Sequence, residues 1–262
     1  MEKYVAAVQM DCVTGAVEEN TIHIIQILKR MKRENEAVTL IVFPEMILYG
    51  YEKLEKRSTD CSQIQLERNL KEIAETCEKL KVNAVVGAPY FGEAGIENAL
   101  YFLDTNGKVQ HVYSKMHLIE EERNIFQPGK ACKICETDVG KLGFLVCWDS
   151  AFPQMAEKYA LEAAELFIIS AAWENPYERQ WELAVCGSSF SGDVPAIAAN
   201  RIGKDGNVEF AGHAMITDCL GNVLEEAKSS QESYVIAELT RITNKEKRQG
   251  FGTQIKEKSV LI

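Results

Sequence analysis

Apolar positions along this chain follow two rhythms. Short, nearly continuous apolar runs occur at 4–10, 38–43, 83–88, 142–147, 165–170, 195–199 and 233–238. Their length and lack of polar alternation predict strands covered on both faces. Between several of them the period becomes helical. Ile24, Leu28 and Met31 share one face of the first such stretch, and Leu66, Leu70, Ile73, Cys77 and Leu80 one face of the second, with Glu and Lys elsewhere. Further helices are expected over 154–164, opened by Phe152-Pro153, and at about 177–191. Strands alternating with helices indicate an α/β protein.

Two tight turns carry the same plan. Asp104-Thr105-Asn106-Gly107-Lys108-Val109 contains Asn-Gly, and Asp218-Cys219-Leu220-Gly221-Asn222-Val223 repeats the Asp, Gly and Val positions. Each leads from an apolar run into another strand, as a hairpin would. The recurrence suggests two related halves. Two sheets packed face to face, with helices outside, would bury such strands. No low-complexity tract or proline-rich linker interrupts the chain, so residues 1–262 are read as one domain.

Composition narrows the function. The 262 residues are 46% hydrophobic, too apolar for disorder, and 29 basic against 39 acidic side chains leave a net charge of −10. That acidity argues against an electrostatic partner such as nucleic acid or an anionic membrane. No apolar run approaches the roughly 18 residues of a membrane helix. The N-terminal residues lack a basic-then-apolar signal, so a cytoplasmic protein is expected. Its eight cysteines lie mostly inside apolar segments and read as buried small hydrophobes.

Three strand ends carry polar groups that packing does not require. Glu45 follows Ile41-Val42-Phe43-Pro44, Lys115 follows Tyr113-Ser114, and Cys147 ends Gly143-Phe144-Leu145-Val146 just before Trp148-Asp149. A carboxylate beyond a strand's C-terminal end points into whatever crevice lies there. A nucleophile at a strand-to-helix turn exposes its reactive atom, and following main-chain N–H groups converge near it. Taken singly, each has a plainer reading: a solvated loop glutamate, a lysine reaching for water, a buried core thiol.

Taken together, Phe43-Pro44-Glu45-Met46, Lys115-Met116-His117-Leu118 and Val146-Cys147-Trp148-Asp149 resemble the Glu, Lys and Cys motifs of the nitrilase superfamily of carbon–nitrogen hydrolases. Gly50-Tyr51, Phe126-Gln127-Pro128-Gly129, Phe152-Pro153, Asn200-Arg201-Ile202-Gly203 and Gly212-His213 resemble its flanking landmarks. The resemblance implies a four-layer α-β-β-α sandwich and an amidase-like hydrolase acting on a small non-peptide amide, an ω-amide or a carbamoyl compound. Cys147 would be the nucleophile, Glu45 the general base, and Lys115 with the Trp148 N–H the stabiliser of developing negative charge. A second glutamate, set back from Pro128-Gly129 in the family's register, falls on Glu122 of the run Glu120-Glu121-Glu122. No metal or organic cofactor is expected.

By the same resemblance Ala172 and Trp173, after the run at 165–170, lie beside the nucleophile; Trp148, Trp173, Ala172 and Tyr51 are the candidate substrate contacts, with Tyr49 a weaker one. A homodimer or larger homo-oligomer is implied, with the helix near 177–191 and the tail from about Gly250 available for subunit contacts. The Cys132-Lys133-Ile134-Cys135 pair, in a strand-like stretch at 131–137, lacks a second pair and reads as packing rather than a redox or zinc site. Two rival functions stand beside the amidase: a nitrilase using the same residues, and a silent or redox-sensing thiol protein.

Overall fold

The computed structural model describes residues 2–51, 63–228 and 230–243. The first half of the chain runs β1 (Tyr4–Gln9), α1 (Val17–Glu34), β2 (Val38–Val42), α2 (Gln63–Leu80), β3 (Asn83–Gly92), β4 (Gly95–Leu103) and β5 (Val109–Ser114). The second runs β6 (Cys135–Thr137), β7 (Gly140–Val146), α3 (Pro153–Leu161), β8 (Leu166–Ala171), α4 (Glu178–Gly192) and β9 (Ala196–Asn200). A small hairpin, β10 (Lys204–Asp205) and β11 (Val208–Glu209), precedes β12 (Met215–Thr217), β13 (Val223–Glu226), β14 (Ser233–Glu238) and a final turn, α5 (Leu239–Ile242).

The continuous apolar runs are explained by what each face meets. Val5, Ala7, Leu40, Val42 and Val85 cluster with the apolar residues of β7, β8 and β9. Their neighbours Ala6, Val8, Ile41, Ala84 and Val86 cluster instead with Ile24, Leu28, Leu70 and Ile73 of α1 and α2. Both faces of each strand are therefore covered, one by the other sheet and one by helices. Across the interface β1 packs on β9 and β2 on β8, while α3 and α4 pack together on the far side. The result is the expected four-layer α-β-β-α sandwich.

The two sheets share one plan. The first has the order β14-β1-β2-β3-β4-β5 and the second β13-β12-β9-β8-β7-β6. In each, three consecutive parallel strands (β1, β2, β3 or β7, β8, β9) carry an antiparallel strand on one edge and an antiparallel pair on the other. The two similar turns join that antiparallel pair in both sheets. Asp104 Oδ1 accepts from the N–H groups of Asn106 and Lys108, at 2.8 and 3.0 Å. Asp218 Oδ1 accepts from those of Leu220 and Asn222, both at 3.0 Å. Gly107 and Gly221 take φ of 74° and 78°, the left-handed conformation that the turn requires.

Two expected elements are shorter than the pattern suggested. α3 stops at Leu161 because Ala163 turns left-handed, at φ 64°. Of the stretch 131–137, only β6 pairs, with β7. The tail from about Gly250 lies outside the described residues, as does Cys61. No described helix is long and apolar enough to cross a membrane.

Candidate active site

The C-terminal ends of β2, β5, β7 and β8 converge. Past β2, Phe43-Pro44 turns the chain so that the Glu45 N–H donates to the Ala171 carbonyl at the end of β8, 3.3 Å away. This turn lies flat on Gly87 of β3, where a Cβ would meet the Pro44 carbonyl at 2.6 Å and Glu45 Cα at 2.8 Å. Glycine is needed there for the close approach. Glu45 ends up fully buried, so the solvated-loop reading is excluded.

Lys115 leaves β5 with its N–H bonded to the Asn98 carbonyl and its own carbonyl accepting from Gly129, both at 2.8 Å. Its side chain turns inward rather than to water and is 2% exposed. Nζ donates to Glu45 Oε1 at 2.9 Å and to Glu122 Oε1 at 2.8 Å. Of the acidic run, Glu120 and Glu121 are exposed, while Glu122 is buried in a 3-10 turn spanning Glu121–Asn124. Its Oε2 accepts from the Ile119 N–H at 3.1 Å.

Cys147 stands at the end of β7 with φ 47°, in the left-handed region that non-glycine residues avoid. A 3-10 turn, Cys147–Ala151, follows directly. Such strain at a strand-to-helix turn is what holds a side chain out of the strand. The main-chain N–H of Ala172 donates to Glu45 Oε2 at 2.8 Å.

Burial is the main cause that pushes the Cys147 thiol well above its ordinary pKa; Glu45 adds to it and Lys115 opposes it. Its surroundings accordingly keep Cys147 a thiol. Burial alone would lower the Lys115 pKa, but Glu45, Cys147 and Glu122 outweigh it and raise it, so the ammonium is retained. Glu122 is raised, chiefly by burial, with Lys115 opposing and Glu45 reinforcing.

Two further groups belong to this constellation, and the sequence reading missed both. Asn98 on β4 donates from Nδ2 to Glu45 Oε1 at 2.7 Å, to the Tyr51 hydroxyl at 3.2 Å and to Glu122 Oε1 at 3.3 Å. Asn98 sits beside Glu97 where the polar start of β4 passes into the apolar run Ala99–Leu103, which does not set it apart from an edge polar residue. Asp149, wholly buried, binds Tyr113, His117 and Val146 around the Cys147 turn.

Of the candidate substrate contacts, Trp148 is 40% exposed directly beside Cys147. Trp173 is nearly buried, its ring 5.8 Å from that of Trp148 and 5.7 Å from that of Trp181. Tyr51 reaches Glu122 Oε1 with its hydroxyl at 3.5 Å, and burial keeps that hydroxyl protonated. Tyr49 is buried in the α1–α2 side of the core, away from these groups. The seven described cysteines are free, Cys132 and Cys135 among them. Among the described residues no group of His, Cys, Asp or Glu is placed to hold a metal ion.

Residues 4–249 match the carbon-nitrogen hydrolase family. A probable nitrilase of Schizosaccharomyces pombe is 35% identical over 243 residues, covering 90% of this chain and 89% of that protein. N-carbamoylputrescine amidase of Arabidopsis thaliana is 28% identical over 194 residues, 66% of this chain and 65% of that protein. Among solved structures, an amidase of the nitrilase superfamily from Nesterenkonia AN1 has the same fold, with a TM-score of 0.86 at 18% identity, covering 99% of this chain and 95% of the other.

Proposed function

Since the chain belongs to the carbon–nitrogen hydrolase family of the nitrilase superfamily, we propose that it hydrolyses a small, linear, non-peptide amide, an ω-amide or carbamoyl compound included, through a thioester on Cys147. The observation that carries this reading is the sharing of one buried ammonium, Lys115, by two carboxylates, Glu45 and Glu122, beside the left-handed Cys147.

The steps follow from that arrangement. Glu45 takes the proton of the resting thiol as Sγ attacks the amide carbon. Charge developing on the carbonyl oxygen is met by the buried Lys115 ammonium and the Trp148 N–H. When the tetrahedral intermediate collapses, the C–N bond breaks, and the departing ammonia or amine takes the proton from Glu45. A water molecule then gives a proton to Glu45 and attacks the thioester; the acid leaves and the sulfur is reprotonated. Glu122 moves no proton here. Bonded to Lys115, Asn98 and Tyr51, it holds the ammonium in place. Trp148, Ala172 and Tyr51 line the acyl side, with Trp173 backing Trp148.

A second reading is kept because one relative is named a probable nitrilase: the same thiol would attack a nitrile carbon. Ammonia release from an amide and from the nitrile of the same carbon skeleton, across linear amides, ω-amides and carbamoylated amines, decides between them. A higher kcat/KM on the amide is expected. A markedly higher value on the nitrile, with free acid as product, overturns the amidase reading.

The chain is further proposed to act as a homodimer or larger homo-oligomer, with α4 in the contact, since Leu183 and Phe190 on that helix are more than half exposed. Free thiols fit a reducing, cytoplasmic setting.

A further inference from the structure

One fully buried carboxylate takes no part in the steps above. Asp149 accepts four hydrogen bonds. On Oδ1 it receives the His117 N–H at 2.9 Å and His117 Nδ1 at 2.8 Å; on Oδ2 it receives the Tyr113 hydroxyl at 2.8 Å and the Val146 N–H at 3.2 Å. Tyr113 and His117 flank Lys115 on either side, and Val146 immediately precedes Cys147. A single side chain therefore ties the segment that carries the ammonium to the turn that carries the thiol. The bond from Val146 also closes the 3-10 turn in which Cys147 is held left-handed. Without it, that strained conformation has less to maintain it.

We propose that Asp149 is a positioning residue: through Tyr113, His117 and Val146 it fixes the Lys115 ammonium against the Cys147 thiol. The proposal rests on the roles assigned above to those two residues. The carboxylate is specifically required, because each of its oxygens receives a main-chain N–H. An asparagine, whichever way it is turned, sets an amide N–H against one of those donors, and a main-chain N–H cannot accept in return. His117 offers a milder perturbation. Its ring stacks on Phe152 with centroids 3.8 Å apart, is one-third exposed, and lines an open groove of about 510 Å³ with Met116, Lys130 and Met155. Removing it opens no core cavity.

The test compares Asp149→Asn, Tyr113→Phe, His117→Ala and His117→Asn with wild type on the best amide from the ammonia-release series, well below each Tm. Displacement of reacting groups by about 1 Å costs on the order of 10²-fold, so kcat should fall about 10²-fold in Asp149→Asn and about tenfold in Tyr113→Phe and His117→Ala. KM should stay within about threefold, since substrate binding is not the interaction lost. His117→Asn, whose amide nitrogen can donate from nearly the position of Nδ1, should recover most of the His117→Ala loss. A merely structural role would lower Tm and leave kcat unmoved; that result overturns the proposal, as does equal loss in the two His117 variants. If Asp149→Asn does not fold, the His117 pair decides. Full activity in Cys147→Ala would instead remove the functional reading, and this proposal with it.

Discussion

Cys147 combines a strained backbone with a thiol kept protonated by its surroundings, and both properties bear on how it is replaced. Because Cys147→Ala removes only one sulfur atom from a partly buried turn, the variant should fold with an unchanged circular dichroism spectrum and lose turnover by at least about 10⁴-fold. Cys132→Ser and Cys135→Ser should stay within about threefold of wild type; the opposite pattern in an ammonia assay would misplace the nucleophile. Glu122 carries a trade-off. Its carboxyl is raised above the ordinary value mainly by burial, so the folded state holds that proton more tightly than the unfolded chain. The stability this gives is fully present below the unfolded pKa and is lost as pH rises through the folded one. Glu122→Gln should therefore remove that pH dependence of Tm and lower kcat about 10²-fold, because an amide cannot accept from both Lys115 and the Ile119 N–H, while Glu120→Gln and Glu121→Gln change neither. Equal effects at all three positions would contradict the buried placement. Glu45 and Cys147 were legible at the ends of recognisable apolar runs, whereas Lys115, after the mixed strand Val109–Ser114, was legible only jointly with them through the family resemblance. Asn98 and Asp149 were not, since nothing in linear order marks an amide on β4 as facing the loop after β2, or an aspartate after Cys147 as reaching back to β5.

The helices start where the apolar period starts, but their ends hide a shared device. After α2, the Lys81 N–H donates to the Glu78 carbonyl and the Val82 N–H to that of Cys77. After α3 the pairs are Ala163 to Ala160 and Ala164 to Tyr159; after α4, Asp193 to Phe190 and Val194 to Ser189. Each is a Schellman ending with a left-handed residue, at φ 51°, 64° and 54°, followed by a buried apolar one. None of the three left-handed positions is glycine, which is why the sequence marked no stop and α3 was read too long. Alanine pays roughly 1 kcal/mol or more in that conformation. Ala163 is exposed, so Ala163→Gly should stabilise the protein by about 0.5–1 kcal/mol in urea titration, with kcat unchanged. A loss of stability would show that the left-handed cap is not under strain.

At the scale of the whole molecule, the match between the two sheets gave the sequence its faint internal echo. Only the turns repeated visibly, because an Asp-anchored glycine turn constrains particular residues whereas a buried strand asks only for apolar ones. The layer arrangement was legible from strands apolar on both faces; the edge assignments were not. The proposed subunit contact predicts that Leu183→Glu combined with Phe190→Glu shifts the sedimentation coefficient to that of a single chain; an unchanged value places the contact elsewhere. One edge assignment also reaches into the protein's biogenesis. β14 lies beside β1, from Tyr4 opposite Glu238 to Gln9 opposite Ser233. On the ribosome, therefore, β1 emerges about 220 residues before β14 and must wait for it before that side of its ladder is satisfied. Throughout elongation the nascent chain carries an open, apolar edge, the kind of surface that invites pairing with another chain. Release without β14 would leave that edge open for good, so translation that stops before β14 should yield aggregate rather than a shortened enzyme.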